Sequence, residues 1–173
     1  TLATLKYTLE SGIIHHLTYY ETSGWRGVLE TEVDSPVPDQ FRSIPGAVFP
    51  LYHVLADVLE FAGGQVLSSQ SSQSRAVECL VLRANESIRI FLVNLTAENQ
   101  RVKLHLEPGP AKLWSLDEKN VLEAMTRPEH FRARKPQEWS GEEIQIYPFA
   151  IVRLDLRHSS LVRSDAKQCS DPI

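Results

Sequence analysis

The spacing of apolar residues changes abruptly at Gly63-Gly64, and this change constrains the fold more than any other feature of the sequence. Before the glycine pair, apolar residues recur with the 3.6-residue period of a helix, whereas after it they alternate with a period of two. The alternating segments are separated by turn residues such as Asn85-Glu86-Ser87 and Pro108-Gly109-Pro110. Short strands at intervals of roughly 8 to 12 residues are typical of an antiparallel β-sandwich or barrel.

We therefore predict a series of short strands after the glycine pair. They cover residues 65–69, 76–83, 88–95, 102–106 and 111–116, and two closing strands cover residues 143–147 and 150–156. Residues 117–141, between the fifth predicted strand and the two closing strands, are charged and contain two prolines. We therefore predict a long connection there with one helical turn near residues 121–125.

The first part of the chain predicts a helix, a strand, a long loop and a second helix. Leucines on one face indicate a helix over residues 1–10, and residues 13–20 are apolar and aromatic without clean alternation. Such a run suits a parallel strand that is covered on both faces. A loop over residues 21–46 follows, and a helix that begins near Phe49 or Pro50 ends just before the glycine pair.

These patterns indicate a mainly β fold with three parts. Residues 1–64 look like the last strand and helix of a TIM-type barrel, residues 65–157 form an antiparallel β-sandwich, and residues 158–173 form a flexible tail. One β/α unit cannot close a barrel. Because the chain opens without Met inside a helical pattern, we expect its natural N-terminus to lie further upstream.

Composition excludes several classes of function. The net charge of -4, with both signs interspersed, gives no basic stripe for nucleic acid. No apolar run is long enough to span a membrane, so we expect no membrane contact. The absence of a signal-peptide pattern says little about compartment in a chain whose natural N-terminus is expected upstream, and a cytoplasmic location is an expectation that does not rest on it. Cys79 and Cys169 lack metal-binding spacing, and Cys79 is predicted to be a free, buried thiol. We predict neither a metal site nor a cofactor.

Five residues at the end of the predicted strand over residues 13–20 are candidates for a substrate pocket. They are Tyr19, Tyr20, Glu21, Trp25 and Arg26. In α/β barrels the carboxyl ends of the strands form the active face. Aromatic rings pack on the C–H faces of sugars, and carboxylate or guanidinium groups bind hydroxyls. The alternative for Glu21 is a solvated loop carboxylate.

Other polar and aromatic residues have simpler interpretations. His15 and His16 point to opposite faces of a strand, so at least one is expected in the core or facing a helix. His53 and Asp57 lie one helical turn apart and suggest a surface or interface pair. Trp114 and Trp139 are expected to pack in the sheets rather than stack on carbohydrate. The acceptor patterns at Asn85 and Asn94 are treated as chance matches to the glycosylation motif.

Three blocks of sequence resemble a known family. They read LTYYETSGWRGVLE, FRSIPGAVFPLYHVLADVLEFAGGQV and IQIYPFAIVRLDL. Over residues 13–156 the chain resembles the C-terminal region of the D-apionate lactonase-like family of sugar-acid enzymes, and more broadly the end of a glycoside-hydrolase-type (β/α)8 barrel with an appended β-sandwich. In such barrels the catalytic carboxylates follow the fourth and seventh strands, so the resemblance assigns no catalytic residue here and leaves Glu21 as a pocket residue from strand eight.

The sequence thus predicts the C-terminal portion of a carbohydrate-active hydrolase that acts on a sugar lactone or a glycoside. Its β-sandwich would stabilise the parent barrel, which would hold the carbohydrate or sugar-acid substrate, and the chain alone would be inactive. The alternative is a non-catalytic carbohydrate-binding or scaffold module. If the barrel is missing, the apolar strand over residues 13–20 has an unpaired edge and invites formation of a homodimer.

Overall fold

The centre of the molecule is a six-stranded antiparallel sheet, seen in a computed structural model that describes residues 1–33, 35–105, 110–141 and 143–157. In chain order the elements are α1 (Leu2–Glu10), β1 (Glu21–Ser23), β2 (Gly27–Leu29), α2 (Leu51–Leu59), β3 (Gln65–Leu67), β4 (Val77–Ala84), β5 (Ser87–Asn94), β6 (Gln100–Lys103), β7 (Ala111–Leu116), α3 (Val121–Thr126), α4 (Pro128–Arg132), β8 (Gln137–Trp139), β9 (Glu143–Ile146) and β10 (Ile151–Arg157).

Two antiparallel sheets form the β-sandwich. The six-stranded sheet has the order β3-β4-β5-β10-β7-β8, and β6 pairs with β9 in a second sheet. Apolar side chains from alternate positions of the central strands fill the space between the sheets, as period-two alternation requires. The buried members of this sandwich core are Val77, Ile88, Ile90, Leu92, Ala111, Ile144, Ile146, Ala150, Val152 and Leu154.

The opposite face of the six-stranded sheet packs against helices α1 and α2. Its buried residues form a second, helix-facing core of Leu2, Leu5, Val54, Leu80, Leu82, Phe91 and Val93. Strand β5 therefore has both faces covered and is buried from Ile88 to Asn94. At roughly 25 cal/mol per Å² of apolar surface, covering the second face adds a large hydrophobic contribution to stability.

Helix α1 is also held to the sheet by buried polar contacts. The Lys6 ammonium lies 2.9 Å from a Glu10 carboxylate oxygen and 3.9 Å from one of Glu78 on β4. Tyr7 donates a hydrogen bond of 2.5 Å to Glu78. Burial opposes the charge on Lys6, but the bonds and charges of the two carboxylates raise the Lys6 pKa above its ordinary value. The two carboxylates therefore keep Lys6 charged inside the contact between α1 and the sheet.

The side chain of Asn94, only 1% exposed at the end of β5, joins three parts of the sandwich. Its amide donates to the carbonyl oxygens of Glu98 at 2.6 Å, Tyr147 at 2.9 Å and Ile146 at 3.3 Å. Its own oxygen accepts from the backbone and the hydroxyl of Thr96. The Asn94 match to the glycosylation pattern is thus a buried structural asparagine, whereas Asn85 is exposed in the β4–β5 turn with φ of 53°.

The predicted strand over residues 13–20 is wrong. Residues 13–18 are exposed and residues 13–19 have no regular secondary structure. A parallel strand needs neighbours on its edges, and in the described part of the chain the one parallel pairing joins the three-residue strands β1 and β2. His15 and His16 are both exposed, so the expectation that one of them lies in the core is also wrong.

Most of the other predicted elements agree with the structure. The helices over residues 1–10 and from residue 49 or 50 onwards are α1 and α2, and the seven predicted strands of the sandwich correspond to β3–β7, β9 and β10. The connection over residues 117–141 holds α3, α4 and β8, more structure than the single helical turn predicted. Cys79 is a free thiol, and burial raises its pKa to about 11. The predicted tail over residues 158–173 lies outside the described residues.

We predict that Asn94→Ala lowers the free energy of unfolding by about 3 kcal/mol, since buried carbonyl groups lose their donor. Urea denaturation monitored by circular dichroism measures this change. The matched control is Asn99→Ala at an exposed position, which should stay within about 0.5 kcal/mol of the parent chain. Equal stabilities for the two variants would contradict the role given to Asn94.

Candidate functional site

Tyr19 and Tyr20, two of the predicted pocket residues, lie together where the irregular segment meets β1. Their ring centroids are 5.3 Å apart. Tyr19 is partly buried against the helix-facing core, while Tyr20 is 46% exposed and its hydroxyl lies 2.8 Å from that of Thr1. Tyr20 has φ of 60°, a left-handed conformation that is uncommon for a bulky residue. The sharp bend at Tyr20 separates the two rings from the residues that follow.

The other three predicted residues form a second group on the β1–β2 turn. The Arg26 guanidinium lies 2.9 Å from a Glu21 carboxylate oxygen and 5.3 Å from the centroid of the Trp25 ring. The Trp25 ring contacts Phe41 at a centroid distance of 5.9 Å. Glu21 and Arg26 are more than half exposed, so this ion pair contributes little to stability.

Close packing of the backbone holds this turn in place. The amide of Glu21 donates to the carbonyl of Arg26 at 3.2 Å, and Gly24 donates to Leu29 at 2.9 Å. A Cβ atom at Gly27 would lie 2.8 to 2.9 Å from backbone atoms of Ser23, so only glycine fits there. The five residues therefore form two separate groups, and their role in a substrate pocket stays a prediction.

A second polar cluster, which the sequence did not predict, lies between α2 and the six-stranded sheet. Its centre is Arg89 on β5, which is 5% exposed. Arg89 donates two hydrogen bonds, of 2.7 and 2.8 Å, to the carboxylate of Asp155 on β10. Its third nitrogen donates to Glu60 at 2.6 Å and to the carbonyl of Asp57 at 2.8 Å. The Arg89 guanidinium thus binds the C-terminal end of α2 and the sheet at once.

Two more arginines extend the cluster to α4. Arg132 on α4 lies 2.7 Å from a carboxylate oxygen of Asp57 and 2.5 Å from one of Glu60. Arg153 on β10 lies 2.9 Å from Asp57. We call the six residues Asp57, Glu60, Arg89, Arg132, Arg153 and Asp155 the interface ion network.

Equal numbers of positive and negative groups make the interface ion network electrically neutral. Burial would lower the pKa of Arg89, but its hydrogen bonds to Asp155 and Glu60 outweigh that effect and raise the pKa. All three carboxylates are bound to guanidinium groups. Because these ion pairs join α2 and α4 to β5 and β10, the network is suited to holding helices on a sheet.

His53 lies at the same interface, one turn before Asp57. Its Nε2 donates to the carbonyl of Ala124 at 2.9 Å, and its ring packs against Phe131 at a centroid distance of 4.8 Å. Burial and the charge of Arg132 lower the His53 pKa despite that hydrogen bond and the charge of Asp57. His53 and Asp57 therefore both lie at the interface that α2 forms with α3, α4 and the sheet.

The two tryptophans of the sandwich have different environments. Trp139 is partly buried against the sandwich core. Trp114 lies on the helix-facing side of β7, where the Arg153 guanidinium sits 3.8 Å from the centroid of its ring. Its Nε1 donates to the carbonyl of Arg134 at 3.3 Å.

The sequence signal for the interface ion network was the alternation of Arg153 and Asp155 with core residues of β10, which is also what a solvent-facing side predicts.

Neither a metal site nor a membrane span is found in the described part of the chain. No group of three or more His, Cys, Asp or Glu residues there could hold a metal ion. None of the described helices combines the length and the apolar character that crossing a membrane requires.

Two antiparallel sheets packed face to face make the fold mainly β, and this arrangement is consistent with an immunoglobulin-like β-sandwich. Residues 74–154, just under half of the chain, match the family model described as D-apionate lactonase, C-terminal immunoglobulin-like domain. The resemblance drawn from the sequence is thereby confirmed for this stretch. No curated protein matches the chain.

Solved structures that match the chain include two glycoside hydrolases. A GH30 endoxylanase from Clostridium papyrosolvens C71 has a TM-score of 0.46 and 10% identity, covering 64% of this chain and 28% of that one. The β-porphyranase BpGH86A of glycoside hydrolase family 86 from Bacteroides plebeius has a TM-score of 0.41 and 14% identity, covering 79% and 23%. A conserved exported protein from Bacteroides fragilis has a TM-score of 0.34 and 14% identity, covering 52% and 17%. The chain thus spans less than a third of each of these proteins.

We predict that Arg89→Met lowers the free energy of unfolding by about 3 kcal/mol, because it leaves carboxylates at a covered interface without their cation. The matched control is Arg101→Met, since Arg101 and Glu143 form an exposed pair at 3.8 Å. That variant should change the free energy by less than about 1 kcal/mol. Urea titration of the three proteins measures both values, and a harmless Arg89→Met substitution would show that the network does not hold the helices.

Proposed function

We propose that the chain is the C-terminal portion of a carbohydrate-active hydrolase that acts on a sugar lactone or a glycoside, and that its β-sandwich is a non-catalytic stabilising domain. The observation that carries the proposal is the match of residues 74–154 to the C-terminal immunoglobulin-like domain of D-apionate lactonase. A sandwich of this kind adds stability through its packing, and its chemistry is left to another domain.

Residues 1–64 are, in this proposal, the end of the catalytic barrel. Helix α2 leads through Gly63-Gly64 directly into β3, and the face of the sheet beneath α1 and α2 holds the helix-facing core beside the interface ion network. This arrangement supports a contact between the helical layer of a barrel and the sandwich. Tyr19, Tyr20, Glu21, Trp25 and Arg26 would then form one wall of a carbohydrate site whose remainder lies in the parent barrel. A cytoplasmic location also stays a prediction.

The chain alone should lack activity because neither Glu21 nor the interface ion network arranges its carboxylates for hydrolysis. Glycoside hydrolysis needs an acid and a base or nucleophile on two sides of one bond, about 5 to 10 Å apart. Glu21 is bound to Arg26 on an exposed surface. The carboxylates of the interface ion network are bound to arginines within a helix–sheet contact. Neither set pairs a free acid with a free base.

We predict that the purified 173-residue chain shows no hydrolysis of sugar lactones or aryl glycosides above the uncatalysed rate. Lactone opening is followed by proton release in weak buffer, and glycoside cleavage by the absorbance of the released phenol. Heat-denatured chain provides the control for background hydrolysis. Turnover that Glu21→Gln abolishes would overturn the proposal and place a complete active site in this chain.

The second candidate is a non-catalytic carbohydrate-binding or scaffold module. It is favoured by one observation, the position of Trp114 in a groove on the helix-facing side of the sheet. Binding of sugar by the isolated chain without any turnover would support it.

We further propose that the isolated chain forms a homodimer through residues 13–20. Ile13 is 75% exposed, and Ile14, Leu17 and Tyr20 are each nearly half exposed. An extended segment with apolar side chains and free backbone groups is a template for pairing with another chain. A second copy brings an identical segment, so the two could pair around a twofold axis.

Sedimentation velocity across a range of chain concentrations tests this dimer. We expect the parent chain to dimerise at high concentration and the double variant Ile14→Lys/Leu17→Lys to remain a monomer, because charge on the segment blocks its pairing. Val33→Lys, at a residue that is 73% exposed elsewhere on the surface, should leave the dimer intact. A monomeric parent chain at every concentration would refute the proposal.

A further inference from the structure

The helix-facing side of the six-stranded sheet carries a row of alternating charges. Strand register places Glu138, Lys112, Asp155 and Arg89 side by side on β8, β7, β10 and β5. Arg89 and Asp155, on the two central strands of the sheet, are bound to each other beneath α2. Lys112 and Glu138, on the two strands nearer the sheet edge, are exposed, and within the described ranges neither forms an ion pair or a side-chain hydrogen bond. The charges on β5 and β10 are therefore paired, whereas those on β7 and β8 are available to a ligand.

The charges on β7 and β8 lie in a groove with an aromatic wall. Trp114 is two residues from Lys112 on β7, so both side chains are on the same face of the sheet. Phe61 and Pro110 supply further apolar surface, and Arg157 at the end of β10 adds a second exposed cation. The groove has a volume of about 850 Å³, within the range of roughly 300 to 1,000 Å³ found for small-molecule sites.

A smaller cavity on the other side of Trp114 cannot serve the same purpose. It is lined by His53, Phe131 and Arg153 among others and holds about 50 Å³. A single water needs about 10 to 15 Å³ by a comparable measure, so this cavity has room for a few waters and not for a sugar ring. A third cavity beside Trp114, of about 400 Å³, has room for a ring, but its charged residues are Arg134 and Lys135 and it lacks a carboxylate among its described lining residues. The open groove offers both cations and carboxylates beside Trp114.

We propose that this groove binds a neutral sugar, with the C–H surface of the ring on Trp114 and its hydroxyls on Lys112, Glu138 and Arg157. A hydroxyl both donates and accepts hydrogen bonds, which suits a site where ammonium, guanidinium and carboxylate groups stand side by side. The charged groups that line the groove include Glu60, Arg89, Lys112, Glu138, Asp155 and Arg157, and their charges cancel. A neutral ligand fits this balance better than an anion does.

This inference rests on the second candidate function, the carbohydrate-binding module, and deepens it by naming the groove and the class of sugar. It does not depend on the proposal of a hydrolase. The groove is built from α2 and from strands β4, β5, β7, β8 and β10 together with their flanking residues, whereas the predicted pocket residues lie on the β1–β2 surface. Sugar binding at Trp114 requires no barrel, and a lack of turnover leaves it unchanged.

Isothermal titration of the full chain with xylotriose, a neutral probe, tests the proposal. We expect measurable binding that Trp114→Ala weakens at least tenfold and that Lys112→Met and Glu138→Gln each weaken several-fold. Lys112 and Glu138 are exposed, so these two variants should fold normally even if Trp114→Ala does not. Glu118→Gln, at another exposed carboxylate, is the matched control and should leave the affinity unchanged.

Three results would overturn the proposal. The first is no binding of xylotriose by the parent chain. The second is binding that Trp25→Ala removes while Lys112→Met and Glu138→Gln leave it intact, which would move the site to the β1–β2 surface. The third is tighter binding of gluconate than of xylotriose together with a strong salt dependence, which would identify an anion site instead.

Discussion

Both faces of the six-stranded sheet must be covered, and the rest of the structure follows from that requirement. Strand β5 is buried from Ile88 to Asn94, and its residues alternate between the sandwich core and the helix-facing core. An ordinary sandwich sheet shows its outer face to water. Here Leu80, Phe91 and their neighbours are apolar on that outer face, so α1 and α2 are as necessary to the sandwich as its second sheet is.

Arg89 shows how a charged residue is accommodated in such a covered face. Removing a guanidinium from water costs several kcal/mol unless its donors are all satisfied. Asp155 supplies a two-point partner from the neighbouring strand, and Glu60 with the Asp57 carbonyl supplies the remainder from α2. These contacts fix the position of α2 along the sheet, since a slide by one helical turn would separate the charges. Apolar packing provides the main stabilisation of the contact between α2 and the sheet, and the interface ion network determines the position of α2 in that contact.

The sequence predicted the sandwich well because period-two alternation is a direct consequence of strands with one side in a core. It failed at residues 13–20, where apolar and aromatic residues resemble a buried parallel strand but have no partner strands in the described chain. It also missed β8, a strand of only three residues within a charged connection. The interface ion network could not be foreseen, because charged residues alternating with core residues indicate a solvent-facing side equally well, and only the fold brings Asp57 and Arg153 together.

The order of strands has a consequence for how the chain is made. Strand β10, the last strand of the described chain, pairs with β5 on one side and with β7 on the other. Until it is synthesised, β5 and β7 have unpaired edges, and the two halves of the sheet are not joined. Such edges promote association between nascent chains. Folding of the sheet is therefore completed only when the last strand inserts at its centre, and a polypeptide shortened before Ile151 would be left as two incomplete half-sheets.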